Sequence, residues 1–294
     1  MTPSFGPGPG RTLDIGGTLT VPRIGFGTAQ LCRCDPGSQP INHTEQIELT
    51  QQAVELGVRH FDVVAFGATS VEHILDILHA AIHPVPADVT IATKVSRTFT
   101  GVGKTVRQAV EMEFRPMIET AMDRLGVDVL DLVYLHREDT SRENDTPTAV
   151  RETYTSLAAL RDEGLIRQMG VSGATREDLK EIGLTAEPIA AVQNAFNIAN
   201  QADSALVDEC AADNIAYIAR KPLDGLTTSE KADLLQRVAD RHGATANQVA
   251  IAWALARSPS IVQIPGTATI EHLIENLAAA DLVLDREDIA LLSA

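Results

Sequence analysis

Short apolar runs alternate with longer stretches whose apolar positions recur at helical spacing, almost throughout the chain. The run VRHFDVVAFG, Val58 to Gly67, sets the type. It is β-branched, too short for a helix, and stops at a glycine, so it reads as a buried parallel strand opening into a loop. Similar runs lie at Arg23–Gln30, Val89–Val95, Val129–His136, Ile166–Ser172, Ile189–Asn197, Ile215–Pro222 and Ile261–Pro265. Between them the spacing predicts helices from Thr44, over Val71–Ile82, Phe114–Leu125, Thr148–Asp162, Arg176–Ile182, Ala202–Asp213, Glu230–His242 and Ala246–Ala256, and a final one from Thr269. In the second of these, Val71, Ile74, Leu75, Leu78 and Ile82 share one face. Ahead of the alternation, LDIGGTLTV (Leu13–Val21) is two apolar runs around Gly16-Gly17, a hairpin signal.

Strands each followed by a helical stretch predict an α/β fold, a (β/α)8 barrel with an N-terminal β-hairpin. The alternative, a doubly wound open sheet, usually carries a glycine-rich phosphate loop after an early strand, and no such loop is present. Nothing marks an interdomain linker. The expectation is a single domain over residues 1–294, with the Pro/Gly-rich residues 1–11 a flexible tail.

Composition narrows the function classes. The 294 residues are 44% hydrophobic and 22% charged, ordinary for a globular core. A formal net charge of −16 argues against a nucleic-acid or anionic-membrane partner. No apolar run approaches the ~20 residues of a membrane helix, and the start lacks the layout of a signal peptide. Three cysteines, Cys32, Cys34 and Cys210, cannot all pair, which fits a reducing cytoplasm. Cys32-Arg33-Cys34 is too sparse for a metal site and reads as loop thiols.

Candidate chemistry sits at strand ends. Asp62, Lys94 and His136 fall at the ends of consecutive expected strands. Each alone has a bland reading: a paired structural acid, a lysine reaching solvent, a core imidazole. Together they stand where barrel enzymes keep catalytic groups, and Lys94 and Asp62 supply each other's counter-charge.

Asp, Lys and His in this order and setting resemble the aldo-keto reductase family. There the lysine lowers the pKa of a tyrosine, the histidine orients the carbonyl, and the tyrosine protonates the alkoxide as hydride arrives. Family members read roughly FDTAxxYG where this chain reads FDVVAFG, one residue shorter, with Phe66 or a gap in the tyrosine's place. A positioned acid supplies about 10²–10⁴-fold in rate, so a substitute is needed. Tyr134 shares a strand face with His136 but lies about 6.6 Å deeper. His136 as imidazolium, or Lys94 through a water, are better placed.

The resemblance extends to the cofactor. GLIRQMGVSG (Gly164–Gly173) resembles GxIRxxGVSN and puts Ser172 at the nicotinamide amide, with Gly173 replacing the usual Asn. Gln193 stands at the other amide position, and Arg220, Pro222 and Leu223 in ARKPLDGL follow the pyrophosphate. In IPGTATIEHLIENLAAA, Gly266-Thr267 feeds a helix N-terminus suited to phosphate. Glu275 and Asn276 match the pair that meets adenine, and His272 stands where many members carry Arg for the 2′-phosphate. NADPH is the implied cofactor, with NADH also open.

Three readings remain at this stage. The first is an NAD(P)H-dependent oxidoreductase with an altered general acid, acting on a small carbonyl or related substrate. The second is a non-redox dehydratase, cyclase or isomerase using Asp62, Lys94 and His136 as acid–base groups, and the third a cofactor-binding protein without catalysis. The loops Leu31–His43 and Arg137–Thr148 are expected to shape the substrate pocket.

Overall fold

A computed structural model describes residues 11–32, 42–65, 71–95, 97–99, 106–108, 111–137, 147–183, 187–227 and 231–294. The chain opens with β1 (Thr12–Ile15) and β2 (Leu19–Pro22), the expected hairpin, antiparallel with Ile15 opposite Leu19. Gly16 and Gly17 turn it at φ of +59° and +72°, the left-handed region that favours glycine. The side-chain amide of Gln168 donates to Gly16 O (3.1 Å) and Thr18 Oγ1 (2.8 Å), fastening the hairpin under the barrel.

The main alternation follows: β3 (Phe26–Gly27), α1 (His43–Glu55), β4 (His60–Ala65), α2 (Val71–Ile82) and β5 (Thr90–Val95). A small antiparallel pair, β6 (Arg97–Phe99) and β7 (Val106–Gln108), precedes α3 (Glu111–Leu125). Then come β8 (Leu130–His136), α4 (Pro147–Asp162), β9 (Ile166–Ser172), α5 (Arg176–Gly183), β10 (Ala191–Ala195) and α6 (Ser204–Ala212). The chain ends with β11 (Ala216–Arg220), α7 (Ala232–His242), α8 (Ala246–Arg257), β12 (Ile261–Gln263), α9 (Ile270–Ala278) and α10 (Arg286–Ser293).

Eight strands form one parallel sheet in the order β12-β11-β10-β9-β8-β5-β4-β3. Its edges meet, because Ile24 bridges Gln263 in parallel and the amides of Gly25 and Gly27 donate to Gln263 O and Pro265 O. The fold is the (β/α)8 barrel that the alternation predicts. Two apolar layers hold it. The larger lies between strands and helices and includes the whole expected face of α2, with Ile74, Leu75 and Leu78 fully buried. The smaller fills the barrel interior, where Ile15, Leu19 and Val21 of the hairpin pack under Leu132, Tyr134, Ile218 and Val262.

Boundaries depart from expectation in three places. The first strand shrinks from Arg23–Gln30 to Phe26–Gly27, and Thr28–Cys32 winds into a 3-10 turn. There Thr28 Oγ1 donates to Asp62 O at 2.9 Å, so a side chain replaces the ladder bond. The β6–β7 hairpin and α10 carry no period long enough to read in the sequence. Of the expected pocket loops, residues 33–41 and 138–146 lie outside the described residues, as do residues 1–10 of the expected tail.

Candidate active site

Period-two alternation decides which side chains reach the barrel mouth. On β4, Phe61 and Val63 face the helices, so His60 and Asp62 face the axis. On β8, Leu132 and Tyr134 belong to the interior cluster, and His136 follows on the same face. The same rule brings Lys94, Ser172, Gln193 and Arg220 to the top layer.

The structure joins five of these residues in one hydrogen-bonded chain. Lys94 Nζ donates to Asp62 Oδ1 (2.6 Å) and to Val63 O (2.6 Å). Gln193 Nε2 donates to Asp62 Oδ2 (2.6 Å), Ser172 Oγ donates to Gln193 Oε1 (3.1 Å), and Ser172 Oγ lies 3.1 Å from His136 Nδ1. The polarity of the chain fixes the imidazole. Ser172 commits its only proton to Gln193, so His136 Nδ1 must carry the hydrogen that Ser172 Oγ accepts. The other ring nitrogen can then donate only from the imidazolium.

Burial sets the electrostatics. Asp62, Lys94 and His136 are each buried, and Ser172 and Gln193 completely so. Desolvation lowers the Lys94 pKa, opposed by the charge and hydrogen bond of Asp62. The ammonium also sits 5.6 Å over the Tyr134 ring. Tyr134 itself is wholly buried, and burial, then the Asp62 charge, raises its pKa well above 10.0. It does not line the mouth cavity, which agrees with its expected depth. Below Asp62, His60 is fully buried, neither ring nitrogen has a partner among the described residues, and burial lowers its pKa to about 4.

A cavity of about 410 Å³ covers this layer. Asp62, Lys94, His136 and Gln193 line its floor, and Arg220, Pro222, Leu223 and Gly266 its wall. Thr28, Lys221 and Asp224 also line it and were not read from the sequence. For Thr28 the signal was available, a hydroxyl directly after a strand. Lys221 and Asp224 follow a strand end in the same way and form an exposed 3.5 Å pair.

The remaining cofactor candidates sit apart from the cavity floor. Thr267 is buried and its hydroxyl accepts from Thr269 N (3.1 Å). Thr269 caps α9 by accepting from the His272 amide (3.3 Å), and the His272 side chain is exposed on the first turn. Glu275 accepts from Thr245 Oγ1 (2.5 Å), which ties α9 to the start of α8. Asn276 is buried, and its Oδ1 has no partner among the described residues. Arg220 Nε is orphaned in the same sense. Both belong to the set the resemblance assigns to a dinucleotide, and unpaired buried polar atoms fit a site completed by a ligand.

Gly173 explains its departure from Asn. Its φ is +75°, and a Cβ there would overlap the carbonyl oxygen of Arg137. Phe66 lies outside the described residues, as does Cys34, and the side chain of Cys32 is not described. Cys210 is buried on α6, with its thiol pushed up to about 12 by burial. Among the described residues no group of three His, Cys, Asp or Glu side chains forms a metal site, and no helix is long and apolar enough to cross a membrane.

A closed eight-stranded barrel with ionisable groups at its C-terminal mouth defines a barrel enzyme. The family model for the aldo/keto reductase family matches residues 23–294, and the chain belongs to that family. It is 35% identical over 276 residues to pyridoxine 4-dehydrogenase of Escherichia coli (strain K12), covering 94% of this chain and 95% of that protein. A thermostable aldo-keto reductase solved with the inhibitor epalrestat superposes with a TM-score of 0.80 at 28% identity, covering 96% and 98% of the two chains. An aldo-keto reductase from Klebsiella pneumoniae solved with NADPH gives 0.77 at 26% identity, covering 96% and 93%.

Proposed function

We propose that the protein is an NADPH-dependent oxidoreductase that interconverts a small aldehyde or ketone and its alcohol, with His136 in place of the family's tyrosine as general acid. The observation that carries the reading is the hydrogen-bonded chain from His136 through Ser172 and Gln193 to Asp62 and Lys94. NADPH, when bound, supplies the hydride. Ser172 and Gln193 hold its carboxamide, Arg220, Pro222, Leu223, Gly266 and Thr267 line its phosphates, and His272, Glu275 and Asn276 meet the adenosine end. Asp62 keeps Lys94 charged against desolvation. His136, with Nδ1–H spent on Ser172, gives the proton of its second nitrogen to the substrate oxygen when the ring is an imidazolium. Burial lowers the Lys94 pKa, which makes its ammonium a better proton source through a bridging water.

The relative's name gives pyridoxine as the alcohol, and its 4-aldehyde, pyridoxal, is the first carbonyl to assay. Quenching of protein fluorescence by NADPH, saturable and tighter than by NADH, is the expected binding result. Failure of both cofactors to bind would remove the reading. Phe66→Tyr tests the acid. If position 66 takes the tyrosine's place, as the resemblance implies, the new phenol should raise carbonyl reduction by up to about 10²–10⁴-fold, and no gain with correct folding would leave His136 as the acid.

A further inference from the structure

One residue at the barrel mouth holds a backbone conformation that its type disfavours. Lys221 has a φ of +56°, the left-handed region in which a Cβ crowds the following carbonyl oxygen. Among the described residues the other non-glycine with positive φ is Asn214, and asparagine visits this region far more readily. Lys221 stands directly between Arg220 and Pro222, and all three line the 410 Å³ cavity.

Strain of this kind persists only where the surroundings impose it. The ion pair to Asp224 does not, since its charges lie 3.5 Å apart and both side chains are more than half exposed. The Asp224 amide reaches Lys221 O only at 3.3 Å. The short bond comes from Asn197, whose Nδ2 donates to Lys221 O at 2.7 Å. Asn197 is buried, and its Oδ1 accepts from the amides of Ala199 and Asn200, both at 2.8 Å. Those two donors fix the side-chain amide, with its oxygen on the turn and its nitrogen on the carbonyl. One residue earlier, Phe196 N donates to Arg220 O at 3.3 Å. The Phe196 ring is fully buried and stacks on Trp253, with centroids 5.7 Å apart. The holder is anchored in the core, and the held residue is at the mouth.

We infer that Asn197 is a positioning residue: by gripping the Lys221 carbonyl it keeps Lys221 left-handed, and the kink sets Arg220 and Pro222 in place for the dinucleotide before it arrives. Its role toward the dinucleotide rests on the proposed cofactor reading, while the grip itself does not. Asn197 does not line the cavity. Its effect therefore falls on cofactor affinity, through pre-organisation, and not on the chemical step.

Asn197→Asp is the sharp variant, because a carboxylate keeps both acceptor bonds of the turn and removes only the donor to Lys221 O. Its NADPH Kd, read by fluorescence quenching, should rise about 10-fold, with kcat at saturating NADPH within about twofold of the parent. Two backgrounds isolate the cause. Lys221→Ala and Lys221→Gly both lack the lysine charge, but only glycine takes the left-handed region without steric cost. Asn197→Asp should cost about 10-fold in Kd beside Lys221→Ala and less than about threefold beside Lys221→Gly. Equal losses in the two backgrounds would overturn the inference. So would a Tm lowered by Asn197→Asp with the NADPH Kd unmoved, which would make Asn197 merely structural.

Amide hydrogen exchange over residues 219–227 of the cofactor-free protein reads the grip without NADPH. Asn197→Asp should speed it about 10-fold beside Lys221→Ala and much less beside Lys221→Gly. That pattern in a protein that binds neither NADPH nor NADH would sink the reductase and keep the grip. Exchange unchanged by Asn197→Asp in both backgrounds would overturn the inference whatever the cofactor result.

Discussion

Lys94 Nζ and Asp62 Oδ1 lie 2.6 Å apart in a layer where both side chains are more than nine-tenths buried. Lys94→Met leaves the Asp62 carboxylate with the Gln193 amide but no counter-charge, a loss of about 3–5 kcal/mol in stability. Asp62→Asn strands the ammonium in the same way. The double variant should cost less than the sum of the two, by about 1–3 kcal/mol. Denaturant unfolding of the four proteins measures this, and strict additivity would show that the pair is not coupled.

Gly173 gives a second prediction. Any side chain there meets both the left-handed φ of +75° and the Arg137 carbonyl. Gly173→Ala should lose at least about 2 kcal/mol of stability. Gly173→Asn, though it restores the family's residue, should not tighten NADPH. Thermal unfolding within 0.5 °C of the parent for Gly173→Ala would contradict the geometry, a shift of about 2–4 °C per kcal/mol being usual at this size.

His60 gives a third, through pH. Burial holds its folded pKa at about 4, below the value of 6.5 for a free imidazole. The unfolded chain therefore takes up a proton that the folded chain refuses. The stabilisation is complete above pH 6.5 and drains away as pH falls towards 4, by about 3 kcal/mol in all. His60→Leu should remove that part of the acid slope. Equal slopes in the two proteins between pH 6.5 and 4 would show that His60 is not buried neutral.

Much of this was legible in the sequence because strand period fixes which face a side chain takes. Asp62, Lys94 and His136 converge as their strand-end positions predict, and the Gly16-Gly17 turn is where the apolar runs break. The Lys94–Asp62 pair was legible as mutual counter-charges, but the amide and hydroxyl partners were not. Gln193 and Asp62 are 131 positions apart, and no local pattern says that an amide read for a cofactor also grips the acid. The room for His60 and Tyr134 comes from glycines on other strands. A Cβ on Gly25 would lie 2.7 Å from His60 Cδ2, and one on Gly170 would lie 2.8 Å from Tyr134 Cδ1. The shortened β3 follows from the Thr28 hydroxyl taking a carbonyl, a choice between side chain and ladder that composition does not settle.

Hydride transfer is the central claim, and isotope labelling tests it most directly. The protein is incubated with NADPH deuterated at C4 of the nicotinamide and with pyridoxal or a simple aromatic aldehyde, and the alcohol is analysed by mass spectrometry. The account predicts one deuterium on the carbinol carbon, stoichiometric with NADPH consumed, with the rate severely reduced in Lys94→Met and His136→Ala. Alcohol without deuterium, or substrate conversion that proceeds with no cofactor present and is lost in those two variants, would contradict it.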